Sequence, residues 1–403
     1  MSTEFDVERA GERVPRLLQG AVDAGEVPGA VALVRFRGET VLHEAYGVAQ
    51  HGQHGQQGRA MRRDTVFDLA SLTKPLATAA VTLALVDRGL VALDEEVTRY
   101  LPELTAARGT GVTLRRLLTH SSGLCGWRPL YVWSRERTGV LRAIDALGMG
   151  YRPGARFEYS DLGFIALGIA VERITDQRLD AVVRELVVEP CGLSRTGYLP
   201  ELDAERFATT ERGNAFERRM AQWAGLDFDG WREDVHPGEV NDGNAHYALQ
   251  GVSGNAGLFA DAHDVAALMQ MWLDGGACGG EQVLSPAAVR LATTNQTPTD
   301  GAPRGLGWAL GSPAPPSREE LTRADAGLFP PAGSPWKPRP SGELLAPETF
   351  GHTGFTGTSA WADPTNGLVA VLLTNATHPS VDLAGGIDRL RARFSNVVAA
   401  SVR

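Results

Sequence analysis

Apolar and polar positions change period along this chain, and the changes mark its elements. Residues 7–25 repeat apolar positions every three or four residues, the pattern of an amphipathic helix. Residues 29–47 read instead as a β-hairpin, with strand-like runs at 30–34 and 40–43 around Arg37-Gly38. A second hairpin is predicted near the other end. There, 359–362 and 368–373 flank the turn Asp363-Pro364-Thr365-Asn366-Gly367, and a helix follows over 381–400. Between roughly 75 and 280 helical periodicity dominates, most clearly in 78–90, 161–176 and 261–274. Strands at both ends with helices between predict an α+β fold. One antiparallel sheet is assembled from the chain ends (1–74 and 281–403) under terminal helices, and a mostly helical domain (75–280) is inserted beside it. A substrate cleft is expected in the crevice between the two. The Gly/Gln-rich tract 51–59 reads as a polar loop, and the proline-rich stretch 311–345 as a long surface insertion.

Composition changes this picture little but excludes several functions. The 403 residues are 43% hydrophobic and 22% charged, ordinary for a globular chain that can bury a large core. A net charge of −9 argues against nucleic acid as a partner, which would need a basic excess. The first residues, Met1-Ser2-Thr3-Glu4-Phe5-Asp6, lack the apolar core of a secretory signal, and no later stretch is apolar enough to span a bilayer, so a cytoplasmic protein without membrane contact is expected. Cys125, Cys191 and Cys278 are odd in number and far apart, which suits free thiols. The nine histidines form no metal-binding spacing, and no metal is expected.

The basic residues carry the strongest chemical signal. Of 39, only Lys74 and Lys337 are lysines, and Lys74 follows three residues after Ser71 in Ser71-Leu72-Thr73-Lys74. An ammonium can exchange a proton with a neighbour where a guanidinium cannot, so Ser-x-x-Lys marks a candidate activated nucleophile. Three residues apart on a helix, the two side chains share a face, and Pro75 fits an opening turn that does not need its N–H. A second copy, Ser334-Pro335-Trp336-Lys337, has no helical pattern after it. By itself the first copy also reads as a helix-start serine with a surface lysine.

Two further motifs shift the balance. Tyr159-Ser160-Asp161 opens the apolar helical segment 161–176, and His352-Thr353-Gly354-Phe355 precedes the C-terminal hairpin. Each taken singly has a plain structural reading, as an N-cap and as a strand-edge turn.

In this order and spacing, the three motifs together resemble the penicillin-recognising serine hydrolases: class C β-lactamases, low-molecular-weight penicillin-binding proteins and family VIII carboxylesterases. The resemblance extends to Asp68-Leu69-Ala70, Leu117-Leu118-Thr119-His120-Ser121-Ser122-Gly123-Leu124, Gly251-Val252-Ser253-Gly254-Asn255-Ala256-Gly257 and Gly351-His352-Thr353-Gly354-Phe355-Thr356-Gly357, covering about 25–380. It implies a β-lactamase/transpeptidase-like fold and acyl transfer from a small ester or amide, with no metal or organic cofactor. Ser71 would be the nucleophile, with Lys74 and Tyr159 sharing its proton. Either could be the base, given a depressed pKa; the Lys74 cation would depress that of Tyr159. The backbone N–H groups of Ser71 and Phe355 would form the oxyanion hole. Asp161, His352, Thr353 and Gly354 would bind substrate, with His352 and Thr353 facing the leaving side and any substrate carboxylate. Two positions depart from the pattern. Asp161 stands where Asn is usual and can accept but not donate a hydrogen bond when ionised. His352 stands where β-lactamases carry Lys, so its charge is expected to depend on pH. The loop Gly238-Glu239-Val240-Asn241-Asp242-Gly243-Asn244-Ala245 looks most like the branch related to type 4B penicillin-binding proteins, and Glu239, Asp242 and Asn244 are its candidate cleft residues. A catalytically silent sensor on the same fold is the alternative, against which the intact Ser71, Lys74 and Tyr159 set counts.

Overall fold

The computed structural model describes residues 4–52, 58–234, 237–297, 303–311, 339–381 and 386–403. Most of the 51–59 tract, most of the 311–345 insertion and the second Ser-x-x-Lys lie outside the described residues.

Strands β1 (Gly29–Phe36) and β2 (Glu39–Gln50) form the first hairpin; the short β3 (Arg59–Ala60) and β4 (Phe67–Asp68) lead into the Ser71 segment. Short strands β5 (Gly197–Tyr198) and β6 (Leu258–Ala260) pair with β4 in the order β4-β6-β5, and β7 (Ala277–Cys278) pairs with β8 (Glu281–Gln282). β9 (Ala309–Leu310), β10 (Phe350–Thr353), β11 (Ser359–Asp363) and β12 (Leu368–Thr374) come from the C-terminal part. The main sheet has seven antiparallel strands in the order β3-β2-β1-β12-β11-β10-β9, so the chain ends meet at the β1–β12 pair. Arg37 and Gly38 both have positive φ (52° and 86°), the geometry that lets a two-residue turn follow the strand twist.

The period of two in β1 builds two cores. Ala30, Ala32 and Val34, with Ala370 and Leu372 of β12, face the helices Val7–Asp23 and Gly386–Ala399, where they pack on Leu18, Leu390 and Phe394. The alternate residues Val31 and Leu33, with Val371 and Leu373, face the larger core that runs into the helical half. The small residues of the first set let the terminal helices lie close to the sheet.

The helix Ala262–Leu273 was expected to stand with the inserted domain. It instead packs on β1, β11 and β12, since its buried Val265, Leu268, Met269 and Trp272 form an apolar stripe that the larger-core face of the sheet completes. Among the described residues no helix is long and apolar enough to cross a membrane.

Leu33 has no exposed surface. Leu33→Ala is expected to cost about 2–5 kcal/mol, read as a lower denaturant midpoint, whereas the same truncation at Leu90, 56% exposed, should stay within about 0.5 kcal/mol.

Candidate active site

The Ser71 segment begins with strain. After β4 the chain turns through Ala70 in the left-handed region (φ 47°), unfavourable for a residue with a Cβ, and Asp68 holds it there by accepting the Ala70 N–H at 2.8 Å. A 3-10 turn (Ala70–Leu72), a π-helical stretch (Lys74–Ala79) and the α-helix Ala80–Asp87 follow. Pro75 has no N–H to offer the helical ladder at the point where the turn widens. The expected face-sharing holds. Lys74 Nζ lies 3.0 Å from Ser71 Oγ, and the lysine is fully buried beneath the serine.

Two neighbours complete the surroundings of the ammonium. Nζ donates to the Asn255 carbonyl oxygen at 3.0 Å and pairs with Asp161 Oδ1 at 2.7 Å. The first contact depends on Gly254, where a Cβ would overlap the Phe164 carbonyl oxygen and the backbone of Gly168. That close approach locks the helix Asp161–Thr175 against the Lys74 segment, and Thr78 Oγ1, donating to the Gly254 carbonyl oxygen at 2.7 Å, reinforces it.

Tyr159-Ser160-Asp161 is clamped from the other side. Ser160 caps the helix, its Oγ accepting the Gly163 N–H at 3.0 Å and donating to the Cys125 carbonyl at 2.8 Å. His120 Nδ1 accepts the Ser160 N–H at 3.0 Å, and its ring lies 4.4 Å from that of Tyr159. The Tyr159 side chain lies beside both Ser71 and Lys74, with Nζ 5.0 Å from its ring centroid.

His352, Thr353 and Gly354 arrive on β10 and the turn after it. A Cβ on Gly354 would strike the Leu69 carbonyl oxygen, while Thr356 and Thr358 donate to the carbonyls of Asp68 and Leu69 at 2.7 and 3.0 Å. Arg391 Nη2 donates to the carbonyl oxygens of Gly354 and Thr358, pinning the turn from behind. Phe355 follows, 45% exposed and packed on Phe216.

Ser71, Tyr159, Asp161, His352, Thr353, Gly354 and Phe355 thus line one cleft of about 610 Å³, together with Asn241, Asp242, Glu217 and Arg304. A larger cavity of about 810 Å³ lies beside Tyr131, Phe228 and Trp231 and contains none of the motif residues. Chemistry rather than volume distinguishes the smaller one.

Several electrostatic expectations need correction. Burial pulls the Lys74 ammonium down, but Asp161 and Tyr159 outweigh it and its pKa is raised. Tyr159 is raised too: burial exceeds the lowering by Lys74. His352 does not switch charge near neutrality, because burial, with Arg304 and Lys74 nearby, pushes its pKa down to about 3. Its Nδ1–H donates to the Thr353 carbonyl oxygen at 2.7 Å. His120 is held neutral by the same causes, burial first.

Asn244 is not in the cleft. It is wholly buried, accepting the Leu130 N–H at 2.7 Å and donating to the Arg128 carbonyl oxygen at 2.9 Å, so it clips a neighbouring loop. Glu239 is exposed and pairs with Arg232 at 3.4 Å. Of the three candidates in that loop only Asp242 lines the cleft, joined by the unanticipated Asn241.

Arg304 was also missed. Its guanidinium lies 4.6 Å over the Phe157 ring, no described carboxylate is within ion-pairing distance, and burial, opposed by Tyr159, pushes its pKa down to about 10. Nothing marks it among so many arginines, and its place beside Tyr159 and His352 exists only in the fold. Among the described residues, the one acid and histidine cluster compact enough for a cation, Asp261, His263 and Asp264, is already used: Asp261 pairs with Arg195 at 2.8 Å, and Asp264 accepts the Arg195 N–H at 3.0 Å. The three cysteines are free thiols.

The fold is of the β-lactamase/transpeptidase kind, and the chain is a serine hydrolase. The sequence model of the family described as "Beta-lactamase" matches residues 14–393, and the chain belongs to that family. It is 32% identical to an Escherichia coli O157:H7 protein named "Putative D-alanyl-D-alanine carboxypeptidase", over 94% of this chain and 86% of that one. Among solved structures it is similar in fold to a penicillin-binding protein homologue from Caulobacter crescentus (TM-score 0.69, 21% identity, all of both chains). A family VIII carboxylesterase matches as well (TM-score 0.67, 20% identity, all of both chains).

Asn244→Ala removes two buried hydrogen bonds outside the cleft. It is expected to lower stability by about 1–3 kcal/mol, seen as a lower Tm, while KM for any turned-over substrate stays within about twofold.

Proposed function

We propose that the enzyme forms an acyl-enzyme on Ser71 from a small ester or amide whose leaving side carries a carboxylate. The observation that carries this reading is the Ser71 hydroxyl in the cleft, held 3.0 Å from a buried ammonium and beside the Tyr159 side chain. The three N–H donors of Lys74 go to Asp161, Asn255 and Ser71, so it acts as a fixed cation rather than as the proton acceptor. Tyr159 stays protonated in the free enzyme, since burial outweighs the adjacent Lys74 charge, and acts as a relay: it takes the Ser71 proton as it hands its own to the leaving group. The N–H groups of Ser71 and Phe355 receive the oxyanion. Water then releases the acyl group.

Arg304, beside His352 on the wall of the cleft, is the group suited to a substrate carboxylate, since a guanidinium offers paired donors and has no protein counter-ion there among the described residues. The name given to the Escherichia coli relative favours a carboxypeptidase-like reaction on a short D-amino-acid peptide. Asp161, turned to Lys74 and unable to donate, gives no hydrogen bond to a β-lactam side-chain amide, so β-lactamase activity is weak at most.

Intact-protein mass spectrometry after exposure to a fluorophosphonate should show one adduct, mapped to Ser71 and absent in Ser71→Ala. Lys74→Arg keeps the charge but replaces three tetrahedral donors with a larger planar fork in a site with no exposed surface, and should slow labelling by at least ~100-fold. Undiminished labelling of Lys74→Arg would remove the fixed-cation role.

Arg304→Ala should raise KM about tenfold or more for a substrate with a free leaving-side carboxylate and change kcat/KM for an uncharged p-nitrophenyl ester by less than about threefold. Equal losses on both would show that Arg304 shapes the site rather than reading the carboxylate.

A further inference from the structure

Near Lys74, the cleft is lined by acceptors. Arg304 has Tyr159, His120 and His352 as electrostatic neighbours, whereas Asp242 has Asp161, Lys74 and Asp68. Both residues line the cleft, each beside a different set of neighbours. Asp242 forms no ion pair among the described residues; its Oδ1 accepts the Ala245 N–H at 2.8 Å and its Oδ2 the Asn255 amide at 3.1 Å. Burial and the nearby Asp161 raise its pKa to about 6, the mark of a carboxylate lacking a counter-ion. Lys74 does not supply one, because its charge is taken by Asp161.

A second, independent observation points to a ligand. Asn241 lines the cleft beside Asp242 and is 2% exposed. Its backbone N–H is fixed by Asp68 at 2.7 Å and its side-chain amide bonds to Glu211, yet its Oδ1 has no partner among the described residues. A buried acceptor left without a donor is costly unless something supplies one. Asp161, Asp242 and Asn241 are all acceptors here, so an amide carbonyl entering on this side finds no matching donor, while a primary ammonium brings three N–H donors and the missing positive charge.

We propose that the wall formed by Asp161, Asn241 and Asp242 is a subsite for a primary ammonium group on the acyl part of the substrate. Resting on the acyl-transfer reading above, this narrows the substrate class to esters, amides or short peptides of an amino acid whose amine is free. With Arg304 on the leaving side, the cleft is matched to a small zwitterion, such as an uncapped dipeptide, and discriminates against the same molecule once its amine is acylated.

The test uses the full chain and competition against fluorophosphonate labelling of Ser71, so that it does not depend on turnover. At pH 7, D-alaninamide, an ammonium at that pH, is compared with N-acetyl-D-alaninamide. The free amine should slow labelling at a concentration at least ~10-fold lower than its acetylated counterpart. In Asp242→Asn the two should protect about equally, with circular dichroism and Tm confirming a folded variant. Protection by the acetylated compound that equals or exceeds that by the amine in the unmodified enzyme overturns the ammonium subsite, as does a preference that survives Asp242→Asn. Absence of any Ser71 labelling overturns instead the acyl-transfer reading on which the subsite rests.

Discussion

The Lys74–Asp161 ion pair is the contact on which the site depends. Removing a charge from water costs several kcal/mol, and an ammonium with no exposed surface persists only if its donors are all satisfied. Asp161 at 2.7 Å, the Asn255 carbonyl and Ser71 Oγ do this, so one requirement, that Lys74 not be left unpaired, positions three segments distant in sequence. Deleting the Asp161 charge would leave the ammonium buried alone, an effect worth about 3–5 kcal/mol in comparable settings. Asp161 also sits in the first turn of its helix, where the dipole favours an anion. Its carboxylate is thereby held by two effects toward the same place.

Around that pair the scaffold leaves little freedom. Asp68 ties the strained Ala70 turn to Asn241, so the serine and one wall of the cleft share an anchor. The Gly254–Gly168 approach sets the depth at which the helix Asp161–Thr175 lies against the Lys74 segment. On the other side, the turn after β10 is nailed to Asp68 and Leu69 by two threonines and to the C-terminal helix by Arg391. The Asp68 and Leu69 links join residues near position 70 to ones far along the chain. The site is therefore as stable as the sheet and helices that carry it, and a preorganised environment of this kind is what stabilisation of developing charge requires.

Burial and charge also shape the cleft. His352 and Arg304, which has no ion-pair partner among the described residues, line it with the carboxylates of Asp161 and Asp242 and the Asn241 amide, and the buried His120 packs behind Tyr159. Histidines there serve as packing and hydrogen-bonding groups, because desolvation beside cations removes their positive form. The polarity of the cleft thus comes from which charges lack partners, not from the overall charge of the protein.

Local pattern was enough for the elements near the ends: apolar runs at 30–34 and 368–373 and the turns between strands depend on neighbours within a few residues, and β1, β11 and β12 follow it closely, while β2 runs on to Gln50. The three motifs were equally legible, since a rare lysine three residues after a serine, and Tyr159 and His352 in unusual company, are statements about sequence. What the residues could not disclose was anything set by long-range distance. Asn244 looked like a cleft residue because it is polar and lies in a polar loop, but Leu130 and Arg128, more than a hundred positions away, claim its side chain. Arg304 looked like any other arginine until β9 and β10 brought it beside Tyr159 and His352. The directions of the Lys74, Tyr159 and His352 pKa shifts were likewise beyond the sequence, which supplies titrating groups but not their burial. Residue identity fixes which chemistry is available; only packing decides which donors and charges are left without partners, and so where a substrate fits.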